Sequence, residues 1–260
     1  MKVSAGNPSC AVLLQSELRR YNRQIIIPNI GKRGQRRIKK ARVFVAGAGG
    51  LGSISAYYLT AAGIGYMRIV DKDRVKEENL NRQIIHWTDD IGKRKVDSAK
   101  KKLQRLNPLC TVDAVYDDIK DDTVIDLVGD CHLIVDATDN ITTRRILNRA
   151  SLIKAIPYIF GGVDGFNGMV TTFMPGETPC FECIFSTFVE RKRLIGVIGP
   201  LPGLIASIQT LEAIKLILGM EDTLKGRLLF FSGIDMKLKE IRIERNDTCP
   251  VCSVYRKREM

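Results

Sequence analysis

The sequence predicts an α/β protein built on a doubly wound, mostly parallel sheet, and three observations carry that prediction. Short apolar runs alternate with helical stretches from about residue 43 to residue 161. The first junction between them is a glycine-rich turn, GAGGLG at 47–52, set between a strand-like run and a helix-like one. From about residue 160 the texture changes to alternating strands of antiparallel type.

The elements run in order along the chain. Val43–Ala46 is uninterrupted apolar sequence, as a strand covered on both faces requires. Ser53–Ala62 is a helix stopped by Gly63 and Gly65, and Met67–Val70 is the next strand, ending on Asp71. GKRKVDSAKKKLQRLNP is a helix with charged outward positions, closed by Asn107-Pro108. Thr111–Val115 and His132–Asp136 are strands, the second delivering DATDN (136–140) at its carboxyl end. Ile141–Lys154 is helical and Tyr158–Gly161 begins another strand. GMVTTFMP (168–175) alternates as an antiparallel strand does, and RLLFFSG (227–233) with LKEIRI (238–243) reads as a closing hairpin. Between them GLIASIQTLEAIKLILG (203–219) is a helix apolar on most of its circumference, which places it inside the molecule or in a dimer interface. No linker or repeat divides the chain, so a single domain over 1–260 is expected. It comprises an N-terminal helical arm (1–30), a nucleotide-binding half (41–165), a substrate and metal half (166–253) and a basic tail (254–260).

Composition sets the class. The 260 residues are 45% hydrophobic and 27% charged, ordinary for a globular protein. No uninterrupted apolar run reaches the roughly 18 residues of a membrane span, and no signal-peptide core is found, so a cytoplasmic location is the expectation. The net charge of +12 gathers in GKRGQRRIKKAR (31–42), KRK (93–95), KKK (100–102) and RKR (256–258). Each cluster alone reads as a solvated helix face; together they suit an anionic partner, a nucleotide or an acidic protein. No aromatic-interleaved or finger-type motif speaks for nucleic acid.

The glycine turn has the context that a Rossmann-like nucleotide site demands, strand before and helix after. Gly47 and Gly49 permit a tight turn and close approach to phosphate, Gly52 lets the helix pack near the strand, and the helix N-terminus favours an anion. Asp71, 24 residues after Gly47, ends the second strand where a carboxylate can accept from ribose hydroxyls. Nicotinamide and flavin enzymes share this device. The downstream polar residues separate the two classes: Asn79, Arg82 and Gln83 lie shortly after Asp71, and Lys95 farther on. Cations at the phosphate end suit a reaction on the α-phosphate of ATP, where negative charge grows in the transition state. An NAD(P)- or flavin-dependent oxidoreductase leaves them unexplained.

Two Cys-x-x-Cys pairs, Cys180/Cys183 and Cys249/Cys252, suit a tetrahedral Cys₄ zinc site. Zinc there would be structural, since four thiolates leave no open position, and it would tether the C-terminal tail to the middle of the chain. Cys10, Cys110 and Cys131 stand alone, and an odd total of seven argues against a disulfide framework.

RYNRQ (20–24), GAGGLG, Asp71 with NLNRQ after it, GKRKVDSA, DATDN and the paired Cys-x-x-Cys occur in one order that resembles the ThiF/MoeB family, the adenylyltransferase relatives of ubiquitin-activating enzymes, from about Leu18 to Cys252. The resemblance implies a homodimer around a mixed sheet, parallel first and antiparallel later. It implies that Gly47, Gly49, Gly50 and Gly52 hold the ATP phosphates, that Asp71 holds the ribose, and that Asn79, Arg82 and Lys95 contact phosphates. It gives Asp139 of DATDN the role of a carboxylate needed for adenylation through Mg²⁺, with Asn140 free to cap the next helix. It makes Arg23 similar to an arginine that reaches the partner subunit's ATP. Some relatives carry a cysteine after the first zinc pair that links covalently to substrate. The segment 184–200 of this chain has none, so the chemistry is expected to stop at the acyl-adenylate. The expected substrate is the C-terminal glycine carboxylate of a ubiquitin-like sulfur-carrier protein. The alternative is a small anionic carboxylate in cofactor biosynthesis, as in the iron-guanylylpyridinol branch.

Overall fold

The computed structural model describes residues 12–189 and 196–256. Cys10, part of the N-terminal arm, part of the 184–200 segment and the end of the basic tail lie outside the described residues.

Eight strands form one sheet in the order β3-β2-β1-β4-β5-β6-β7-β8. The first five, β1 (Arg42–Ala46), β2 (Tyr66–Val70), β3 (Thr111–Val115), β4 (Leu133–Asp136) and β5 (Tyr158–Asp164), run parallel. β6 (Asn167–Phe173), β7 (Arg227–Ser232) and β8 (Lys237–Arg242) continue the sheet antiparallel. The change of texture near residue 160 is therefore the β5–β6 hairpin. Because β1 lies between β2 and β4, the strand order reverses there. The carboxyl ends of these three strands open on one crevice, the switch point where doubly wound sheets take ligands.

Helices cover both faces. α4 (Gly50–Ala62), α5 (Lys95–Leu106) and α9 (Pro200–Leu218) pack with Val43, Val45, Met67, Ile69 and Ile159 into one core. α6 (Val124–Val128), α7 (Ile141–Lys154) and α8 (Phe181–Phe185) close the other over Phe44, Ile134, Tyr158 and Phe160. Adjacent strand residues thus go to opposite faces, and every residue of β4 is buried. Phe160, Phe181 and Phe185 pack ring against ring, with centroids 4.8–5.6 Å apart, and seat α8 on the sheet.

At the N-terminus α1 (Gln15–Arg20) and α2 (Asn22–Ile25) lead into α3 (Gly31–Lys40), which carries the 31–42 basic cluster. Of its cations, Arg37 bonds the Leu218 carbonyl and Lys39 pairs with buried Glu17, while Lys32, Arg33, Arg36 and Lys40 are solvated. The buried side of α3 is small, Gly34, Gln35 and Ile38.

α9 is the apolar helix expected over 203–219, packed against the sheet. An uninterrupted apolar run is absent, yet this 19-residue helix has a mean hydropathy of 1.5 and is long enough to span a bilayer. Half of it is buried in the protein, with Gln209, Thr210 and Glu212 all hidden and bonded. Glu212 accepts from Thr172 Oγ1 (3.0 Å) and Leu224 N (2.6 Å), and Gln209 Nε2 donates to the Asp136 and Ile159 carbonyls. These side chains tie the helix to the sheet as a core element. Leu204 and Leu211 remain exposed along its other side.

Helix α4 begins at Gly50, three residues before the predicted start, inside the glycine motif itself. Gly47 has φ +101°, and a Cβ there would stand 2.7 Å from the Ala137 carbonyl oxygen. A Cβ on Gly52 would stand 2.0 Å from the Gly47 carbonyl oxygen, a backbone atom that cannot move aside alone. Gly52→Ala should therefore destabilise the fold by about 2 kcal/mol or more through forced separation of α4 from β1. Urea unfolding of the two proteins measures this, and equal midpoints would contradict it.

Candidate active site

The crevice is assembled from three strand ends. β1 supplies the glycine turn, whose helix N-terminus leaves first-turn N–H groups without intrahelical partners. The α4 N-cap, Gly49, has no side chain to satisfy them, which leaves them for an anion. Among the described residues the one atom that would meet a Cβ at Gly49 is Gln83 Nε2, 3.7 Å away; at Gly50 it would meet Pro202 of α9 at 3.1 Å. The backbone is thus closely covered at Gly50 and open to a ligand at Gly49.

β2 delivers Asp71. Its carboxylate accepts from Ala48 N and from Asp73 N, both at 2.7 Å, so it holds the glycine turn from beneath while keeping lone pairs for a ribose. Burial pushes the Asp71 carboxyl above its ordinary pKa, and the charge of Lys95 pulls the other way. Lys95, at the first position of α5, is buried and pairs with Asp73 at 2.9 Å. A buried ammonium with one half-exposed partner is positioned to take a second anion.

Asn79, Arg82 and Gln83 lie on the segment after β2, which forms a 3₁₀ turn at Glu77–Asn79. Asn79 is buried and its Oδ1 accepts from Lys76 N at 3.1 Å, which shapes the turn. Arg82 folds onto its own turn, donating to the Glu78 carbonyl and Asn81 Oδ1, each at 3.0 Å. Gln83 is buried and its Oε1 has no hydrogen-bond partner among the described residues, an orphaned acceptor beside the open glycine turn. The residues present thus fit a phosphate-bearing nucleotide: open amides and a buried cation for phosphate oxygens, and an unsatisfied carboxamide oxygen for a hydroxyl or amino donor.

β4 delivers DATDN, and here the structure shows what the sequence did not. Asp136 is fully buried. Its Oδ1 accepts from Thr138 N (2.9 Å) and Oγ1 (2.7 Å), and its Oδ2 from the Tyr158 hydroxyl (2.7 Å). Arg144 from α7 stands 3.4 Å from the same carboxylate and donates to the Thr138 and Gly161 carbonyls. Burial, with the Asp136 charge beside it, pushes the Tyr158 phenol well up, so it stays a donor. This network holds the loop so that Asp139 emerges exposed, without a hydrogen bond or ion pair among the described residues. The helix cap falls to Asn140, whose side chain accepts from Thr143 N at 2.8 Å.

Arg23 is the one candidate that the chain does not bring to this crevice. It is exposed on α2, and its neighbour Gln24 donates to the Ala62 carbonyl at 3.2 Å. Ala62 ends α4, whereas the glycine turn begins it, so about 18 Å of helix separates α2 from the site of its own chain.

The four paired cysteines come together. Their sulfurs lie within 4.8 Å of one another, with Sγ–Sγ separations of 3.8 Å (Cys180–Cys183), 3.7 Å (Cys180–Cys249) and 3.5 Å (Cys183–Cys252). A tetrahedron of Zn–S bonds of about 2.3 Å has edges near 3.8 Å, so the sulfur cage fits zinc. Cys180 is the N-cap of α8 and Cys183 lies within it, and Cys252 opens α10 (Cys252–Arg256). Leu152 of α7, Val251 and Tyr255 pack around the sulfurs. Cys110 and Cys131 are buried elsewhere, and burial pushes each thiol up to about 11.

Sequence reasoning also missed His86, one of two histidines in the chain. It is buried under the glycine turn, with Nε2 2.9 Å from the Ala48 carbonyl oxygen. Burial, joined by the charges of Lys102 and Lys95, holds its pKa down to about 4, so the ring is neutral at physiological pH. Its rarity and its place three residues after Gln83 were the available signals.

Comparison with known proteins agrees with this geometry. The ThiF family model matches residues 21–251, and the chain belongs to the ThiF family and is an adenylyltransferase. It is 38% identical over 248 residues to the sulfur carrier protein adenylyltransferase of Thermus thermophilus, covering 92% of each chain. It is 39% identical to the SAMP-activating enzyme E1 of Haloferax volcanii, covering 91% of this chain and 89% of the relative. With the molybdopterin-synthase adenylyltransferase of Salmonella typhimurium it is 37% identical, over 93% of this chain and 99% of the relative. Among solved structures, Escherichia coli MccB with ATP superposes with a TM-score of 0.80 at 23% identity, over 92% of this chain and 75% of that one, a likeness of fold.

Metal analysis of protein purified without added metal should find about one zinc per chain. Chelation at 1,10-phenanthroline excess should lower the melting temperature, and Cys180→Ser should do the same. A metal-free protein of undiminished stability would refute the Cys₄ site.

Proposed function

We propose that this chain activates a carboxylate as an acyl-adenylate, with ATP as donor and pyrophosphate as leaving group, and that its substrate is the C-terminal glycine of a ubiquitin-like sulfur-carrier protein. One observation carries the reading: the glycine turn, buried Lys95 and exposed Asp139 open on one end of one sheet. The full-length likeness to enzymes named for sulfur carriers supports the substrate. The +12 charge suits an acidic carrier.

Each side chain has work that its surroundings allow. The open amides of the turn take phosphate oxygens, and Asp71 takes the ribose. Lys95 and Arg82 offset charge that grows at the α-phosphate as the carboxylate attacks, the interaction that lowers a barrier most when the groups are fixed beforehand. Asn79 holds the turn that carries Arg82, and Gln83 offers its orphaned oxygen. Asp139 would hold Mg²⁺, which shields phosphate charge when bound. Zinc on Cys180, Cys183, Cys249 and Cys252 would be structural. The segment 184–200 has no cysteine and the described thiols outside the cage are buried, which supports release of the acyl-adenylate to an acceptor elsewhere.

We read the active form as a homodimer in which Arg23 serves the partner's nucleotide, since α2 is anchored at the far end of α4. A small anionic carboxylate is the second substrate reading, supported by the same lack of a cysteine in 184–200.

ATP–pyrophosphate exchange tests both readings when carriers ending in Gly-Gly and small carboxylates are assayed side by side. Asp139→Ala and Arg82→Ala should keep the fold and lower exchange on the order of a hundredfold or more; undiminished exchange in both would remove the mechanism. Mixing Arg23→Ala subunits with Asp139→Ala subunits should restore part of the activity, because one of the two sites in a mixed dimer is then intact. No restoration would confine each site to one chain.

A further inference from the structure

We propose that His86 is a positioning residue for the phosphate-binding turn, the last link of a buried hydrogen-bond relay that starts at the Asp90–Lys102 ion pair and ends on the Ala48 carbonyl. The ligand named in its test, ATP, rests on the adenylyltransferase reading; the relay itself rests on the geometry alone.

The relay runs from Asp90 to Ala48. Asp90 is fixed by accepting from Trp87 N at 3.0 Å and by its ion pair with Lys102 of α5. Lys102 Nζ also stands 2.9 Å from Ser98 Oγ, and an ammonium can only donate. The Ser98 hydroxyl accepts that bond, and its single proton can go to His86 Nδ1, 2.9 Å away, or to the neighbouring Asp90 carboxylate. With Nδ1 an acceptor, the neutral ring carries its proton on Nε2. That nitrogen faces the Ala48 carbonyl oxygen at 2.9 Å, which can only accept. The Ala48 end therefore demands this tautomer, and the Ser98 end accommodates it. Asp90, Ser98, Lys102 and His86 are all buried, so water does not compete for these bonds.

The end point matters more than the chain. Ala48 stands between Gly47 and Gly49, residues that leave its two peptide groups nearly free to rotate. Its N–H is held by Asp71 Oδ2 at 2.7 Å and its carbonyl by His86. The peptide bond is trans, so the Gly49 N–H points away from the Ala48 carbonyl, and fixing one fixes the other. Gly49 is the N-cap of α4, at the place where the turn is open to a ligand. His86 thus holds an amide ready for a phosphate oxygen before any nucleotide arrives, which lowers the ordering cost of binding.

Two measurements test the relay on the whole protein. Long-range ¹⁵N–¹H spectra report the tautomer of His86, with His132 the only other histidine. Wild type should show Nε2–H at pH 7, and Ser98→Ala should keep that tautomer, which Ala48 demands, while the Nδ1 resonance shifts on losing its hydrogen bond. Calorimetric titration with Mg·ATP should show Kd rising about tenfold in His86→Leu and returning to within about threefold of wild type in His86→Gln, whose amide can still donate to Ala48. A merely structural histidine would lower the melting temperature in His86→Leu and leave Kd unchanged. That result, or an Nδ1–H tautomer in wild type, overturns the proposal. Should His86→Leu fail to fold, the wild-type tautomer and the Ser98→Ala Kd, expected to rise, decide it. Should wild type bind no ATP, the adenylyltransferase reading falls, while the wild-type tautomer and the Nδ1 shift in Ser98→Ala still decide the relay.

Discussion

The approach of α4 to β1 at the glycine turn constrains everything around it. The Gly47 carbonyl oxygen lies where a Cβ on Gly52 would be, so helix and strand meet closer than any side chain allows. That contact brings the first turn of α4 to the carboxyl end of β1. There the strand order reverses and the ends of β2 and β4 open on the same crevice. The anion-binding end of a helix dipole and the carboxylates of Asp71 and Asp139 then occupy one place without any long loop to bring them there.

The same closeness leaves a flexible turn in need of anchors. Asp71 holds it from one side and His86 from the other. The cations are arranged differently. Lys95 rests on Asp73 and Arg82 on its own loop, partners an incoming phosphate can share or displace. The rigid part of the site is thus the backbone, and the adaptable part is the charge. In the proposed reaction, where charge shifts along a phosphate chain, the fixed amides would supply preorganisation and the cations neutralisation.

The second half of the chain secures the loop that carries Asp139. Gln209 of α9 bonds the Asp136 carbonyl, Tyr158 of β5 bonds its carboxylate, and Arg144 bonds the Thr138 carbonyl. α7, which supplies Arg144, also packs its Leu152 against the four cysteines. The sulfur cage, the antiparallel strands and the DATDN loop therefore share one structural support, although none of the cysteines lies in the crevice.

Local pattern alone was enough for the order of the main elements, the parallel-to-antiparallel change, the glycine turn and the grouping of the four paired cysteines. These are local patterns: apolar period, glycine position and Cys-x-x-Cys spacing each state their physics within a few residues. β3 and α7 were legible to the residue for that reason. α6 and α8 were not, because five-residue helices hold too few turns to show a period and are stabilised by packing, in α8 by Phe160 against Phe181 and Phe185. Only the tertiary structure decided that Asp136 is buried while Asp139, three residues on, is exposed. Only it showed that Arg23 lies at the wrong end of α4 for its own site and that His86 lies beneath Ala48. Those facts depend on which groups from distant segments, Tyr158, Arg144, Ser98 and Lys102, arrive to satisfy a buried polar atom, and no local pattern in a chain records that.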